Sequence, residues 1–248
     1  MTPDGQLKVL SYNIHKGFAL STRFVLGGIR ERIRAVSADV VFLQEVLGDH
    51  SGHKKNVKEW AGPQLEFLAE KLWPHFAYGK NAVYTAGHHG NAILSKYPIT
   101  SFENIDISNN RFERRGILHA ITEWQGSPLH LLCVHLDLTD GGRKKQNDRI
   151  IQRITESIPQ NERLILAGDF NDWRGLATAH FESKLQLKEV FKSTTGKHAK
   201  TFPAPFPLLT LDRVYLRGLH PVTAKCHEGA PWSQLSDHLA IEASLARV

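Results

Sequence analysis

The chain has 248 residues, with 31 Lys plus Arg against 25 Asp plus Glu and a formal net charge of +6 at pH 7. Hydrophobic residues at 41% and charged residues at 23% give an ordinary globular composition, which excludes a disordered or collagen-like chain. A chain this long buries a large core without staples, and its basic balance, with a pI near 9.3, points to anionic partners.

Strand-like runs dominate. Leu7–Ile14 alternates, and Asp39–Val46 carries the buried-type run Val40-Val41-Phe42-Leu43. Between them, Val25, Ile29, Ile33 and Val36 share one helical face. A second helical stripe, Leu65, Leu68, Ala69 and Leu72, follows Pro63. Asn91–Ser95 and Ile99–Ile107 are strands, and Gly116–Trp124 pairs with Pro128–Leu136 across Gln125-Gly126-Ser127. Ile150, Ile154 and Ile158 define a third helix, Arg163–Phe170 a strand, and a fourth helix is expected after Trp173. Leu211–Leu216, Val222–His227 and His238–Leu245 complete the set. No repeat, low-complexity tract or Pro/Gly/Ser-rich linker divides the chain, so residues 1–248 are expected to form one domain. Strands follow one another without an intervening helix, which argues against a regular βαβ wheel and for two sheets packed face to face with helices outside.

Two cysteines, Cys133 and Cys226, exclude a disulfide-rich scaffold and a cysteine-based zinc site. Cys133, inside Leu131-Leu132-Cys133-Val134, reads as a buried thiol. No apolar run reaches the roughly 18–20 residues of a membrane helix. The first ten residues lack the basic-then-apolar order of a signal peptide, so the cytoplasm is the expected compartment.

Polar residues recur at the ends of the strand-like runs. They are Asn13, Glu45, Asn91, His135, Asp169 with Asn171, Asp212, and Asp237 with His238. Any one of them reads as a turn former or a satisfied core histidine. Taken together they do not, because charged groups beside buried strands cost solvation unless they share a cation or one another.

The ordered pieces Leu43-Gln44-Glu45, Gly168-Asp169-Phe170-Asn171 and Ser236-Asp237-His238 resemble the endonuclease/exonuclease/phosphatase superfamily, from about Leu7 to Leu245. The resemblance implies an α/β four-layer sandwich. Two mainly antiparallel β-sheets pack face to face, with helices on the outside and the site at one edge. It also implies divalent-metal-dependent hydrolysis of a phosphodiester or phosphomonoester. The cation this implies is Mg²⁺, with Mn²⁺ able to replace it at an oxygen-rich site. By resemblance Glu45 is the metal ligand, Asn13 its carboxamide neighbour and Asp237 the completion of the shell. His238, oriented by Asp212, is a general base or a phosphate-stabilising cation. Asp169 and Asn171 orient water and phosphate, and either Asp169 or the His238–Asp212 pair takes the proton. His135 binds phosphate or protonates the leaving oxygen. Asn91 lies on the substrate side, and a guanidinium from Arg114 or Arg115 suits a phosphate. His15 and His135 depart from the apurinic-endonuclease pattern. His135 is closer to the DNase I or sphingomyelinase branch.

Other stretches bear on the substrate, expected to be nucleic acid or anionic phospholipid. Phe202 and Phe206 on a Pro-rich loop form either an apolar rim for a lipid or a loop anchor. Trp173-Arg174 stacks on a base or packs at a helix start. His88-His89, near the Gly90-Asn91 turn, approaches phosphate or, as the default, forms a solvated loop pair. Arg143-Lys144-Lys145 opens a helix with the wrong charge for its dipole, which leaves an external anion or a solvated face. A non-catalytic phosphate-binding or scaffold module on the same fold is the alternative function.

Overall fold

The computed structural model describes residues 5–52, 57 and 62–248. Part of the N-terminal segment read for a leader lies outside them. The described strands form two six-stranded sheets. Sheet one contains β1 (Leu7–Asn13), β2 (Val40–His50), β3 (His75–Tyr84), β4 (Gly87–Ser95), β11 (Leu219–Cys226) and β12 (Ile241–Arg247), in the order β11-β12-β1-β2-β4-β3. Sheet two contains β5 (Ile99–Asp106), β6 (Gly116–Trp124), β7 (Ser127–His135), β8 (Arg163–Asp169), β9 (Lys188–Glu189) and β10 (Asp212–Arg217), in the order β5-β6-β7-β8-β10-β9. The sandwich is that expected, with mixed sheets. Each has a parallel pair at its centre, β1 with β2 and β7 with β8, flanked by antiparallel strands.

Parallel neighbours need a crossover. Helix α1 (Leu26–Val36) joins β1 to β2, and α3 (Asp140–Ser157) joins β7 to β8. Helices α2 (Gln64–Ala69), α4 (Leu176–Leu185) and α5 (Val190–Thr195) are also present among the described residues. Thr139 caps α3 by accepting from the Gly142 amide.

Side chains alternate along a strand, so a strand covered on both faces must be apolar throughout. This explains the run at Val40–Leu43. Val40 and Phe42 enter the core between the sheets, with Leu118, Leu131, Cys133 and Ile165 of sheet two. Val41 and Leu43 face α1 and α2. Leu164 and Leu166 of β8 pack likewise against Ile150 and Ile154 of α3. Both cysteines are free thiols, and Cys133 is buried. No helix among the described residues is long and apolar enough to cross a membrane.

Several boundaries differ from the expected ones. Edge strand β3 carries no strong pattern, because beyond Ala77 and Gly79 its residues are half-buried or exposed. The two residues of β9 and the six of α5 are too short for a period. Strand β11 starts at Leu219 and contains Pro221, which an edge strand tolerates and where the register shifts. Strand β12 starts only at Ile241, so His238 stands outside the ladder.

Glycine is required at Gly168. Its φ is +146°, and a Cβ there would lie 1.9 Å from the Val134 carbonyl oxygen of β7. Gly168→Ala should therefore cost about 2–4 kcal/mol through strain and overpacking. A urea unfolding curve checks this, and an unchanged midpoint would contradict it.

Candidate functional site

The C-terminal ends of β1, β2, β7 and β8 meet at one edge of the sandwich, with the starts of β4 and β10. Asp169, at the end of β8, is 1% exposed and lies at the centre. Its Oδ2 accepts from Asn13 Nδ2 at 3.1 Å and lies 3.5 Å from His135 Nε2 and 3.6 Å from His238 Nε2. Its Oδ1 accepts from the Asn171 backbone amide at 2.9 Å. His238 Nδ1 lies 2.9 Å from Asp212 Oδ2, so one imidazole spans two carboxylates. Asn13 Nδ2 also lies 3.5 Å from Glu45 Oε1, which connects the two sheets through one carboxamide.

Local backbone sets these side chains. Strand β2 bulges between Leu43 and Val46, and Glu45 takes φ 57° there. A bulge re-aims a side chain, and this one turns Glu45 toward Asn13. Asn171 takes φ 49° and donates through Nδ2 to the Leu136 carbonyl. His15 and Lys16 follow β1 in a 3₁₀ turn, with φ 44° and 56°. Ser236 donates to the Asn13 carbonyl at 2.8 Å and accepts from the His238 amide at 3.2 Å, which holds the Ser-Asp-His segment against β1. Asp237 Oδ1 lies 3.8 Å from His15 Nδ1.

Burial works against every charge here, and the neighbours decide the outcome. Burial raises the Glu45 pKa, but Lys16, His15, His238 and His89 outweigh it and hold the carboxyl below its usual range. Burial lowers that of His238, yet Asp212 and Asp169 pull it upward and favour the imidazolium. Asp169 is pushed up, first by burial and also by Asp212, against the pull of His238. His135 is driven well below its usual value by burial, then by Arg115, His238, His89 and Lys16, which leaves a neutral imidazole.

At this edge two buried carboxylate oxygens accept no hydrogen bond among the described residues, Glu45 Oε2 and Asp212 Oδ1. Lys16 Nζ stands 3.6 Å from the first, so a side-chain cation already faces it. Single ligand atoms of Asp169, Asp212 and His238 also lie within 4.8 Å of one another. An acidic, oxygen-rich corner with buried carboxylate oxygens that accept no hydrogen bond fits a hard divalent cation.

The remaining expected residues separate. Asn91 is buried and donates to the carbonyls of Gly116 and Cys133, a tie between the sheets. Arg114 pairs with Asp106 at the surface. Arg115 pairs with Glu113, and its charge reaches His89 and His135. The His88-His89 pair is not a solvated loop: it lies in β4, with His88 Nδ1 3.0 Å from the Tyr78 hydroxyl. Burial, with Lys16 and Arg115, lowers His89 to about 4. Arg143 is buried and donates to the carbonyls of Asp137 and Leu138, while Lys144 and Lys145 are exposed. Sequence reasoning gave no site role to Lys16, and weighed one for His89 only as a loop residue near phosphate. Their approach depends on a left-handed turn and on the β2–β4 pairing, neither of which has a local signature.

Arg115, unlike Arg114, acts on His89. Removing a nearby cation makes imidazole easier to protonate, so Arg115→Met should raise the His89 pKa above about 4, and Arg114→Met should leave it in place. Histidine NMR titrations check this, and equal behaviour of the two variants would contradict the assignment.

Comparison with known proteins agrees with this geometry. The family model described as Endonuclease/Exonuclease/phosphatase family matches residues 10–238. "Uncharacterized protein YbhP" of Escherichia coli (strain K12) is 42% identical over 248 residues, 98% of each chain. D. rerio TDP2, solved in complex with single-strand DNA product, superposes with a TM-score of 0.71 at 20% identity, covering 98% of this chain and 99% of that one. A mannosyl-6-phosphatase of Bacteroides thetaiotaomicron VPI-5482 superposes with a TM-score of 0.72 at 18% identity, covering 97% and 99%. Sequence match, sandwich and edge cluster together show that this chain belongs to the endonuclease/exonuclease/phosphatase family.

Proposed function

We propose that this protein is a divalent-metal-dependent phosphoesterase. The observation that carries the reading is the line Asp212–His238–Asp169 standing beside a buried Glu45 oxygen that accepts no hydrogen bond. Glu45, Asn13 and Asp237 would hold the cation, Mg²⁺ first and Mn²⁺ by the same oxygen chemistry. When bound, such a cation neutralises charge on the phosphoryl oxygens.

The chain's own residues do the rest. Water adds across a P–O ester bond: its oxygen goes to phosphorus, and a proton goes to the leaving oxygen. The water proton passes to the Asp169–His238 pair, whose facing atoms are 3.6 Å apart. Asp212 fixes the imidazole through Nδ1 and keeps Nε2 aimed at Asp169. Asn171, pinned to Leu136, positions water or phosphate. His135, neutral and 3.5 Å from Asp169, meets the leaving oxygen. Lys16, His89 and Arg115 surround the site with donors for the phosphate, and a guanidinium fork suits its oxygens. Asn91 supports them by tying the sheets. TDP2 and the mannosyl-6-phosphatase, proteins of the same fold, support phosphoester chemistry.

Hydrolysis of bis(4-nitrophenyl) phosphate with added Mg²⁺ tests this. His238→Ala and Asp169→Ala should each lower turnover by at least about 10²-fold, and a chelator should abolish it in the wild type. Wild-type turnover in a folded, contaminant-free variant would contradict the assignment.

A further inference from the structure

Large apolar side chains stand in water on the face that opens onto the site. The ends of β1, β7 and β8 and the starts of β6 and β10 lie at this edge, so the loops leaving them frame its mouth. Five of these loops expose such groups: Leu20, Phe112 (84% exposed), Leu138 (69%), Trp173, and Phe206 (79%) with Leu208. Apolar groups gathered in this way mark a surface that something covers.

Four of the five are tied to the site by their neighbours. Phe112 lies three residues before Arg115, and Trp173 two residues after Asn171. Leu138 lies two residues after Leu136, whose carbonyl holds Asn171. The loop of Phe206 also carries Phe202, whose ring packs 5.1 Å from that of His238. Phe202 is thus the anchor and Phe206 the exposed tip.

The exposed charge on the loops around the site is mostly positive. The Arg111 guanidinium lies 4.8 Å from the Phe112 ring centre, and that of Arg174 lies 4.7 Å from the Trp173 ring centre. Of the acids here, Asp106 is answered by Arg114, and Asp140 by Arg143 and Arg174. Arg23, Arg111 and Lys144 are exposed and join no ion pair among the described residues.

Apolar tips interleaved with cations match the boundary between acyl chains and anionic headgroups. Tryptophan with an arginine beside it suits that depth. Stacking on nucleic-acid bases needs π-faces, which Leu20 and Leu138 lack. Hydrocarbon accepts both. We propose that this rim docks on an anionic lipid bilayer, so that the site takes its phosphoester from a lipid headgroup. The substrate class rests on the phosphoesterase reading; the docking does not.

The test is co-sedimentation with vesicles of phosphatidylcholine mixed with phosphatidylglycerol, against phosphatidylcholine alone. The wild type should partition to the anionic vesicles. Phe112→Ser, Leu138→Ser and Phe206→Ser combined should weaken that by about tenfold or more with an unchanged melting curve. Should the combined variant melt early, Phe112→Glu alone carries the same expectation in smaller size. A wild type that stays in the supernatant, or a folded variant that sediments like it, would overturn the proposal. So would retention on duplex DNA, lost in the same variant, with no vesicle binding. A wild type that binds vesicles but fails on the soluble diester would contradict the phosphoesterase reading and leave the docking supported.

Discussion

A carboxylate removed from water must be answered by donors of the chain itself. At Asp169 that requirement reaches across the molecule. Asn13 comes from sheet one, His135 from the neighbouring strand of sheet two, and His238 from the segment before β12, and all three face the same oxygen. The arrangement exists only if both parallel pairs end at one edge, which the order of each sheet provides. It also needs β7 and β8 close enough to leave no room for a side chain at position 168. Core packing and site geometry are therefore one constraint.

The same edge concentrates backbone strain. His15, Lys16, Glu45 and Asn171 all take positive φ without being glycine. Such conformations cost about 1–3 kcal/mol each and persist where surrounding contacts over-determine them. The contacts are visible: Asn171 is held by the Leu136 carbonyl, and the His15 amide donates to Asn13 Oδ1. The bulge at Glu45 gives that carboxylate a direction that a regular strand would not.

Much of this was legible in the sequence, because the double-faced core writes continuous apolar runs such as Val40–Leu43 and Leu131–Val134. Polar residues at the ends of those runs carried the family resemblance, which implied a site at one edge, and the structure gathers Asn13, Glu45, His135, Asp169, Asp212 and His238 there. What stayed hidden depends on contacts between distant segments. Edge strand β3 buries too little to show alternation. Arg114 and Arg115 are adjacent before β6, so only the observed pairing separates the surface ion pair from the residue that acts on His89. Phe202 and Phe206 likewise share a loop, and composition does not tell anchor from tip.

The central claim is that the Glu45 corner holds a hard cation beside the Asp169–His238 pair. Calorimetric titration of Mg²⁺ into the wild type and into Glu45→Gln tests it most directly. The account expects saturable binding to the wild type and a loss of affinity of at least about 10–100-fold in the variant, with the melting curve of the metal-free protein retained. Equal affinity in the two proteins would contradict it.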